Sequence, residues 1–239
     1  MKKLIIICLL ISAAFTQAFA KAKVLIFSKT AGFHHNSIAV GIPAIIKLGQ
    51  ENNFDVDTTT DAKKFTADNL KQYAAVIFLS TTGNVFDDTQ QAAFEQYIKA
   101  GGGFVGVHSA TDTEYDWPWY GNLVGAYFKS HPSKQQVATL NVVDRNFIAT
   151  KHLPAEWKRL DEWYNFKWIA DGLHILIKID EKSYTGGENG DNHPMSWYHE
   201  FDGGRAFYTA LGHTDESYAD PLYLKHLLGG IKYAIGEKK

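Results

Sequence analysis

The sequence predicts an α/β fold, with a doubly wound, mainly parallel sheet and helices on both faces. Short apolar runs alternate with helical patterns through the first half of the chain, which is typical of parallel strands joined by crossover helices. The runs are continuously apolar, as expected of strands buried on both faces. The chain has 239 residues, which is enough for one sizeable core.

The elements of the first half follow one another closely. Strands are predicted at 24–27, 54–57, 74–79 and 104–107. A helix opened by Ser37 runs to Leu48. In a second helix, Asp88 and Gln91 have the spacing of a capping box and Gly101 marks the end.

The second half has a looser pattern and ends in a clear helix. Strands are predicted at 136–143, 173–179 and 205–209. Asp220 caps the final helix and Pro221 takes its first turn. One apolar stripe marks its buried face: Leu224, Leu227, Leu228, Ile231 and Ile235. Because no repeat or linker interrupts the pattern, we expect one domain over residues 21–239.

The N-terminus has the pattern of a signal peptide over residues 1–20. Two lysines precede an apolar run at 4–15, and Ala18-Phe19-Ala20 has the small-x-small spacing of a cleavage site. The run is shorter than the roughly 20 residues that span a bilayer. We therefore expect a periplasmic or secreted protein without stable membrane insertion after cleavage, a retained anchor being the alternative. The only cysteine, Cys8, would leave with the peptide, so the mature chain would have no disulfide or thiolate.

Charge and composition narrow the class of partner. The chain has 24 basic and 26 acidic residues and no basic stripe, which argues against nucleic acid as a partner. Its six Trp and twelve Tyr suit stacking on the faces of a small-molecule sugar, although a large aromatic core would account for them equally well. The sequence leaves open whether the chain forms a homodimer.

His108 is the first candidate for chemistry. In a doubly wound sheet, ligands bind outside the carboxyl ends of the strands. His108 follows the strand predicted at 104–107, with Gly106 and Ala110 around it, as in a nucleophile elbow. A histidine there can act as a general base or a metal ligand. A buried structural histidine is the alternative.

Two further segments combine acids with histidine or aromatic side chains. His213 and Glu216 follow the strand predicted at 205–209, where they could form a metal pair or a base with its orienting group. The segment Asp161-Glu162-Trp163-Tyr164 mixes two acids with two aromatics, which suits the recognition of a polyol, or else it forms an exposed acidic edge over two core aromatics. None of the strict zinc spacings is present, so a divalent metal such as zinc is inferred from histidine content alone.

Five ordered segments of this chain together resemble the ThuA-like (trehalose utilisation) family. They are 30–38, 102–110, 123–128 with His131-Pro132 after it, 161–164 and 203–213. The resemblance covers nearly all of the chain after residue 20. The family usually has Arg-His after Gly-Phe, whereas this chain has His34-His35. His35 therefore matches the family's histidine, and the contacts of the arginine are not carried over to His34.

The resemblance implies a flavodoxin-like fold similar to that of the class I glutamine amidotransferases. His108 stands where those enzymes have a cysteine, so amidotransfer through a thioester is excluded. The resemblance also implies an exported protein of sugar catabolism that acts on a glycoside or 3-keto-glycoside as a hydrolase, lyase or isomerase. The alternative is a non-catalytic carbohydrate-binding protein with the same fold.

These observations assign expected roles to named residues. We expect His108 and His213 to act as bases or metal ligands, with Glu216 orienting His213. The residues expected to bind the substrate are His35, His131, Glu162, Tyr164, Trp197 and Arg205.

Overall fold

The computed structural model of the protein describes residues 21–237. The signal peptide expected at 1–20, with Cys8, lies outside the described residues, as do the last two residues. Within the described range, no helix combines the length and apolar character needed to cross a membrane.

Eleven strands and five α-helices make up the described chain. The strands are β1 (Ala22–Phe27), β2 (Phe54–Thr59), β3 (Ala75–Leu79), β4 (Gly103–Val107), β5 (Ala126–Ser130), β6 (Gln136–Val142), β7 (Glu156–Asp161), β8 (Asn165–Ile169), β9 (His174–Ile179), β10 (Pro194–Phe201) and β11 (Gly204–Thr209). The helices are α1 (Ile38–Glu51), α2 (Ala67–Leu70), α3 (Asp88–Lys99), α4 (Pro118–Val124) and α5 (Pro221–Ala234).

Nine of these strands form one sheet in the order β2-β1-β3-β4-β11-β10-β9-β6-β7. The first five pair in parallel. The pairings from β11 through β10, β9 and β6 to β7 are antiparallel. β5 and β8 form a separate two-stranded sheet. The predicted doubly wound α/β class is confirmed.

The parallel half is covered by helices on both faces because successive side chains of a strand point to opposite sides. Phe78 and Phe104 lie on one face, where their rings meet Phe94 of α3 and Tyr120 of α4. On the other face Phe207 of β11 packs so closely on α5 that a Cβ at Gly230 would lie 2.2 Å from its ring.

The structure adds β5, β7, β8 and β10 to the predicted strands. The sequence pattern does not predict β7, because charged side chains take buried positions of this strand and an apolar one is exposed. Arg159 and Asp161 are buried, while Leu160 is exposed. The helix caps also differ in detail. The capping box of α3 joins Asp87 and Gln90, one residue before the predicted pair, because Asp87 is the last extended residue. The predicted cap of α5 by Asp220 is confirmed.

The turn at the end of β4 has the tight geometry predicted for an elbow. His108 has φ 51°, in the left-handed region that non-glycine residues rarely adopt. A side chain at Gly106 would place its Cβ 2.9 Å from the Tyr208 ring and 3.2 Å from Ala110. Tyr208 in turn donates a hydrogen bond to the His108 carbonyl over 2.7 Å. The small residue and the tyrosine together fix the backbone that presents His108.

We expect Gly106→Ala to destabilise the protein by about 2 kcal/mol, because the added methyl group must displace the Tyr208 ring in a packed core. The free energy of unfolding from urea titration measures the effect. Gly32→Ala is the matched control, since its Cβ would meet Thr82 at an ordinary 3.4 Å. Equal stability of both variants would contradict this account of the turn.

Candidate functional site

Four side chains from separate loops converge at the carboxyl end of the sheet. His35 lies between β1 and α1, His108 follows β4, Glu162 follows β7 and His213 follows β11. One ligating atom from each lies within 4.8 Å of the others. We call these residues the four-residue centre.

The spacing within the four-residue centre matches a coordination sphere. His108 Nε2 lies 3.1 Å from His213 Nδ1. Glu162 Oε2 lies 3.4 Å from His108 Nε2 and 3.1 Å from His213 Nδ1. Two ligands bound about 2.0 Å from a tetrahedral ion stand roughly 3.3 Å apart. A first-row divalent ion therefore fits among these three atoms, and the His35 ring offers a nitrogen within 4.8 Å of them. Imidazole with carboxylate is a donor set that such ions accept.

The tautomer of His108 is fixed by its backbone partner. Its Nδ1 lies 2.9 Å from the carbonyl oxygen of Ala210, which can only accept, so Nδ1 carries the hydrogen. Nε2 therefore presents its lone pair to the centre. This is the arrangement in which an outer hydrogen bond orients a metal-binding histidine.

Within the centre, the pKa values of His35 and Glu162 are lowered and that of His213 is raised. Burial, together with the neighbouring His108 and His213, lowers the pKa of His35 to about 2. Burial alone would raise the pKa of Glu162, but hydrogen bonds from His108 and His213, in the forms that carry a proton towards it, outweigh burial and hold the pKa well below the usual range. Burial lowers the pKa of His213, and the Glu162 contact more than reverses this. Neutral imidazole and ionised carboxylate are the forms that bind metals.

A buried carboxylate, Asp161, brings Glu162 and His213 together. Four strand-to-strand steps separate β11 from β7, which is roughly 19 Å in a flat sheet. Yet Asp161 at the end of β7 accepts backbone hydrogen bonds from Gly212 and His213, each over 3.1 Å, and from Glu162 over 3.0 Å. The end of β7 and the loop after β11 therefore meet across the carboxyl end of the sheet, although their strands are not neighbours. Arg159 neutralises Asp161 over 3.1 Å.

A cavity of about 280 Å³ opens beside the centre. The centroid of the Tyr164 ring lies 4.4 Å from that of the His108 ring and 4.2 Å from that of the Phe128 ring. These rings give the cavity an aromatic wall. Its lining residues are Phe33, His35, Asp112, Phe128, His131, Glu162, Tyr164 and His213. Phe33 is 67% exposed and also borders a second, more polar cavity of about 330 Å³ with His213 and Glu216. A wider groove of about 480 Å³ lies away from the centre, against β9.

Six of the residues expected to act or to bind substrate lie together here. They are His35, His108, His131, Glu162, Tyr164 and His213. His131 joins through its Nδ1, 3.3 Å from Glu162 Oε1. The structure places these six residues in one site, and their roles in catalysis or binding remain predictions.

Three expected site residues are placed differently. Trp197 is fully buried in β10 and donates to the Val124 carbonyl, so it is a core residue. Arg205 is the second residue of β11, at the amino end of the strand and away from the centre, and it donates to the carbonyls of Ala234 and Gly101. Glu216 is exposed on the second cavity, and the carboxylate that contacts the His213 ring is Glu162.

Sequence reasoning assigned no role in the site to Phe33, Asp112, Phe128 or Asp161. Asp112 could have been found, since it lies one helical turn after His108 and so near the same strand end. Phe33 and Phe128 carried no signal beyond their neighbouring motifs. Asp161 needed the inverted pattern of β7 to be recognised.

Comparison with known proteins identifies a family and its fold. The family model described as ThuA, trehalose utilisation, matches residues 23–234. A ThuA-like protein from Bacteroides uniformis has 26% identity and a TM-score of 0.78, with 94% of this chain and 97% of that chain covered. One from Parabacteroides merdae has 21% identity and a TM-score of 0.74, with 90% of both chains covered. A β-galactosidase from Bacillus circulans shares the fold over 32% of its own length, at 15% identity, with 92% of this chain covered and a TM-score of 0.57. No curated protein sequence matches the chain.

We expect Asp161→Asn to cost about 3 kcal/mol in the free energy of unfolding, because the buried Arg159 loses its nearer counter-charge and keeps only Asp220, at 3.5 Å. The introduced amide also turns a donor towards backbone N–H groups that need an acceptor. Urea unfolding measures the loss, and Asp191→Asn, at an exposed carboxylate, serves as the matched control. Stability within about 0.5 kcal/mol of wild type would show that Asp161 does not hold the loop.

Proposed function

The chain belongs to the ThuA, or trehalose utilisation, family, and from this we propose that it is a metal-dependent enzyme acting on a glycoside or 3-keto-glycoside. The observation that carries the proposal is the convergence of His35, His108, Glu162 and His213 beside an aromatic-walled cavity. A structural role alone would not require three histidines and a carboxylate around one point. Perturbed titratable groups clustered in a cleft are typical of functional sites.

The four-residue centre would hold a divalent ion such as zinc. When bound, the ion would act as a Lewis acid that polarises a sugar oxygen entering its coordination sphere as a fifth ligand. His108 and His213 supply nitrogen lone pairs, and Glu162 supplies the negative charge that offsets the ion. Asp161 keeps Glu162 and His213 in register with His108 through its backbone hydrogen bonds.

The cavity beside the centre suits a sugar ring. Phe128 and Tyr164 offer an apolar wall to the C–H face of a pyranose, and a sugar has both such a face and a rim of hydroxyl groups. His131, 39% exposed at its side chain and paired with Glu162, lies where a hydroxyl group can reach it. The site thus combines stacking, hydrogen bonding and a basic cluster in one cavity.

Two routes of bond cleavage start from this arrangement. In hydrolysis, a basic group of the cavity that does not bind the ion, such as His131, takes a proton from water as the water attacks the anomeric carbon. In a 3-keto-glycoside, the ketone acidifies the neighbouring C–H, and the base removes that proton so that the glycosidic oxygen is eliminated. Amidotransfer is not among the routes, since residues 21–239 contain no cysteine.

Purified wild-type protein should bind one divalent ion per chain, and His108→Ala and His213→Ala should each lower the affinity for zinc by at least 100-fold. Removing one of the few ligands takes away a large share of the binding free energy. Isothermal titration with zinc measures the affinity. His34→Ala is the matched control, since His34 is the exposed neighbour of His35. Unchanged affinity in both test variants would remove the basis for a metal centre.

We expect wild-type protein to cleave at least one member of a panel of α- and β-glucosides, galactosides and their 3-keto derivatives. Activity should fall to background after chelation and return on adding zinc, manganese or cobalt. Product release followed by chromatography checks this. Sugar binding without turnover or metal would instead support the non-catalytic carbohydrate-binding alternative.

A further inference from the structure

Asp112 is a carboxyl group in the cavity that the four-residue centre does not use. It lies in the 3₁₀ turn His108–Asp112 that continues from β4, one turn beyond His108. It lines the same cavity as Glu162, His131 and Tyr164. The cavity therefore contains two carboxyl groups on different elements.

The two carboxyl groups have opposite surroundings. Glu162 contacts three histidine rings, those of His108, His131 and His213, at 3.1–3.4 Å. Asp112 has one close partner, the Tyr115 hydroxyl, which donates to Oδ1 over 2.5 Å. Glu162 is thus held as an anion by basic groups, whereas Asp112 is held by a phenol.

One oxygen of Asp112 is left for a bound molecule. The Tyr115 hydroxyl shares its one hydrogen between Oδ1 of Asp112 and the Phe128 carbonyl, which lies 3.1 Å from it. Within residues 21–237, Oδ2 has no hydrogen-bond partner from the protein. Phe128 belongs to the aromatic wall, so the same tyrosine fixes Asp112 and the surface on which a sugar ring would stack.

Burial raises the pKa of the Asp112 carboxyl above its usual range. The effect of burial on this pKa outweighs two opposing effects. They are the Tyr115 hydrogen bond and the positive charge that His108, Lys167 and His131 carry when protonated. A carboxyl group that keeps its proton nearer neutrality, opposite one that stays ionised, is the division of labour found in acid–base pairs.

We propose that Asp112 is the general acid that protonates the departing oxygen of a glycoside bound in this cavity. The inference rests on the proposed function and assigns the proton donor of the same site. As the bond between the anomeric carbon and the leaving oxygen breaks, the electron pair stays on the oxygen and the Asp112 proton moves to it. In hydrolysis, a water oxygen bonds to the anomeric carbon and its proton passes to a base of the cavity that does not bind the ion, such as His131. In elimination, that base takes the C–H proton instead, and the protonation of the leaving oxygen is unchanged.

The test compares leaving groups in wild type and in Asp112→Asn. The substrates are the methyl and 4-nitrophenyl glycosides of the sugar that wild type turns over. We expect kcat/KM for the methyl glycoside to fall at least 100-fold, because its alkoxide leaves only with a proton. The 4-nitrophenyl glycoside, whose phenolate is stable without one, should lose less than about 5-fold. Equal losses on both substrates, or no loss on the methyl glycoside, would overturn the proposal.

Asp116→Asn is the matched control, since Asp116 lies in the same loop, is exposed, and only accepts from Asn84. It should leave both rates unchanged.

A second measurement needs no substrate and keeps the two proposals distinguishable. In protein labelled with ¹³C at the aspartate carboxyl carbons, the resonance missing from Asp112→Asn identifies Asp112. We expect it to titrate above the ordinary value of about 3.9 for aspartate. Titration at or below that value would overturn the assignment of Asp112 as an acid, whatever the activity. Failure of wild type on every glycoside would instead reject the proposed function.

Discussion

The buried carboxylate of Asp161 is the constraint on which the rest of the site depends. It is fully inaccessible to solvent, is neutralised by Arg159, and accepts the backbone N–H groups of Glu162, Gly212 and His213. Those bonds join the last strand of the antiparallel half to the loop after β11. A buried ion pair gains little net stability unless such extra hydrogen bonds satisfy it. Here they also fix geometry, because no strand pairing links β7 to β11 directly.

The two halves of the sheet contribute different parts of the site. The parallel half carries His35, His108 and His213 on the ends of buried, helix-covered strands, where backbone positions are well defined. The antiparallel half and the two-stranded β5–β8 sheet bring Glu162, Tyr164 and Phe128 as one wall of the cavity. Ser37 adds a cross-link, since its hydroxyl donates to the Gly212 carbonyl over 3.1 Å. The loops of His35 and His213 are thereby held against each other.

The sequence predicts the strands of the parallel half more completely than those of the antiparallel half, for a physical reason. Continuous apolar runs identify doubly buried strands, so β1, β3 and β4 and the elbow at His108 could be predicted. In the antiparallel half β6 and β9 are predicted, but β7 buries an arginine and an aspartate and exposes a leucine, which inverts the usual pattern. The partner of His213 was therefore expected next to it in sequence, at Glu216. The observed contact, from Glu162, depends on the meeting of the β7 end with the loop after β11, which no local pattern encodes.

Four residues from four loops are proposed to bind one metal ion. X-ray absorption spectroscopy of zinc-loaded protein is the sharpest check, because it counts the imidazole and oxygen ligands around the ion. We expect three imidazole ligands with one carboxylate oxygen, falling to two imidazoles in His35→Ala. Fewer than three imidazole ligands in wild type, or an unchanged spectrum in His35→Ala, would contradict this ligand set.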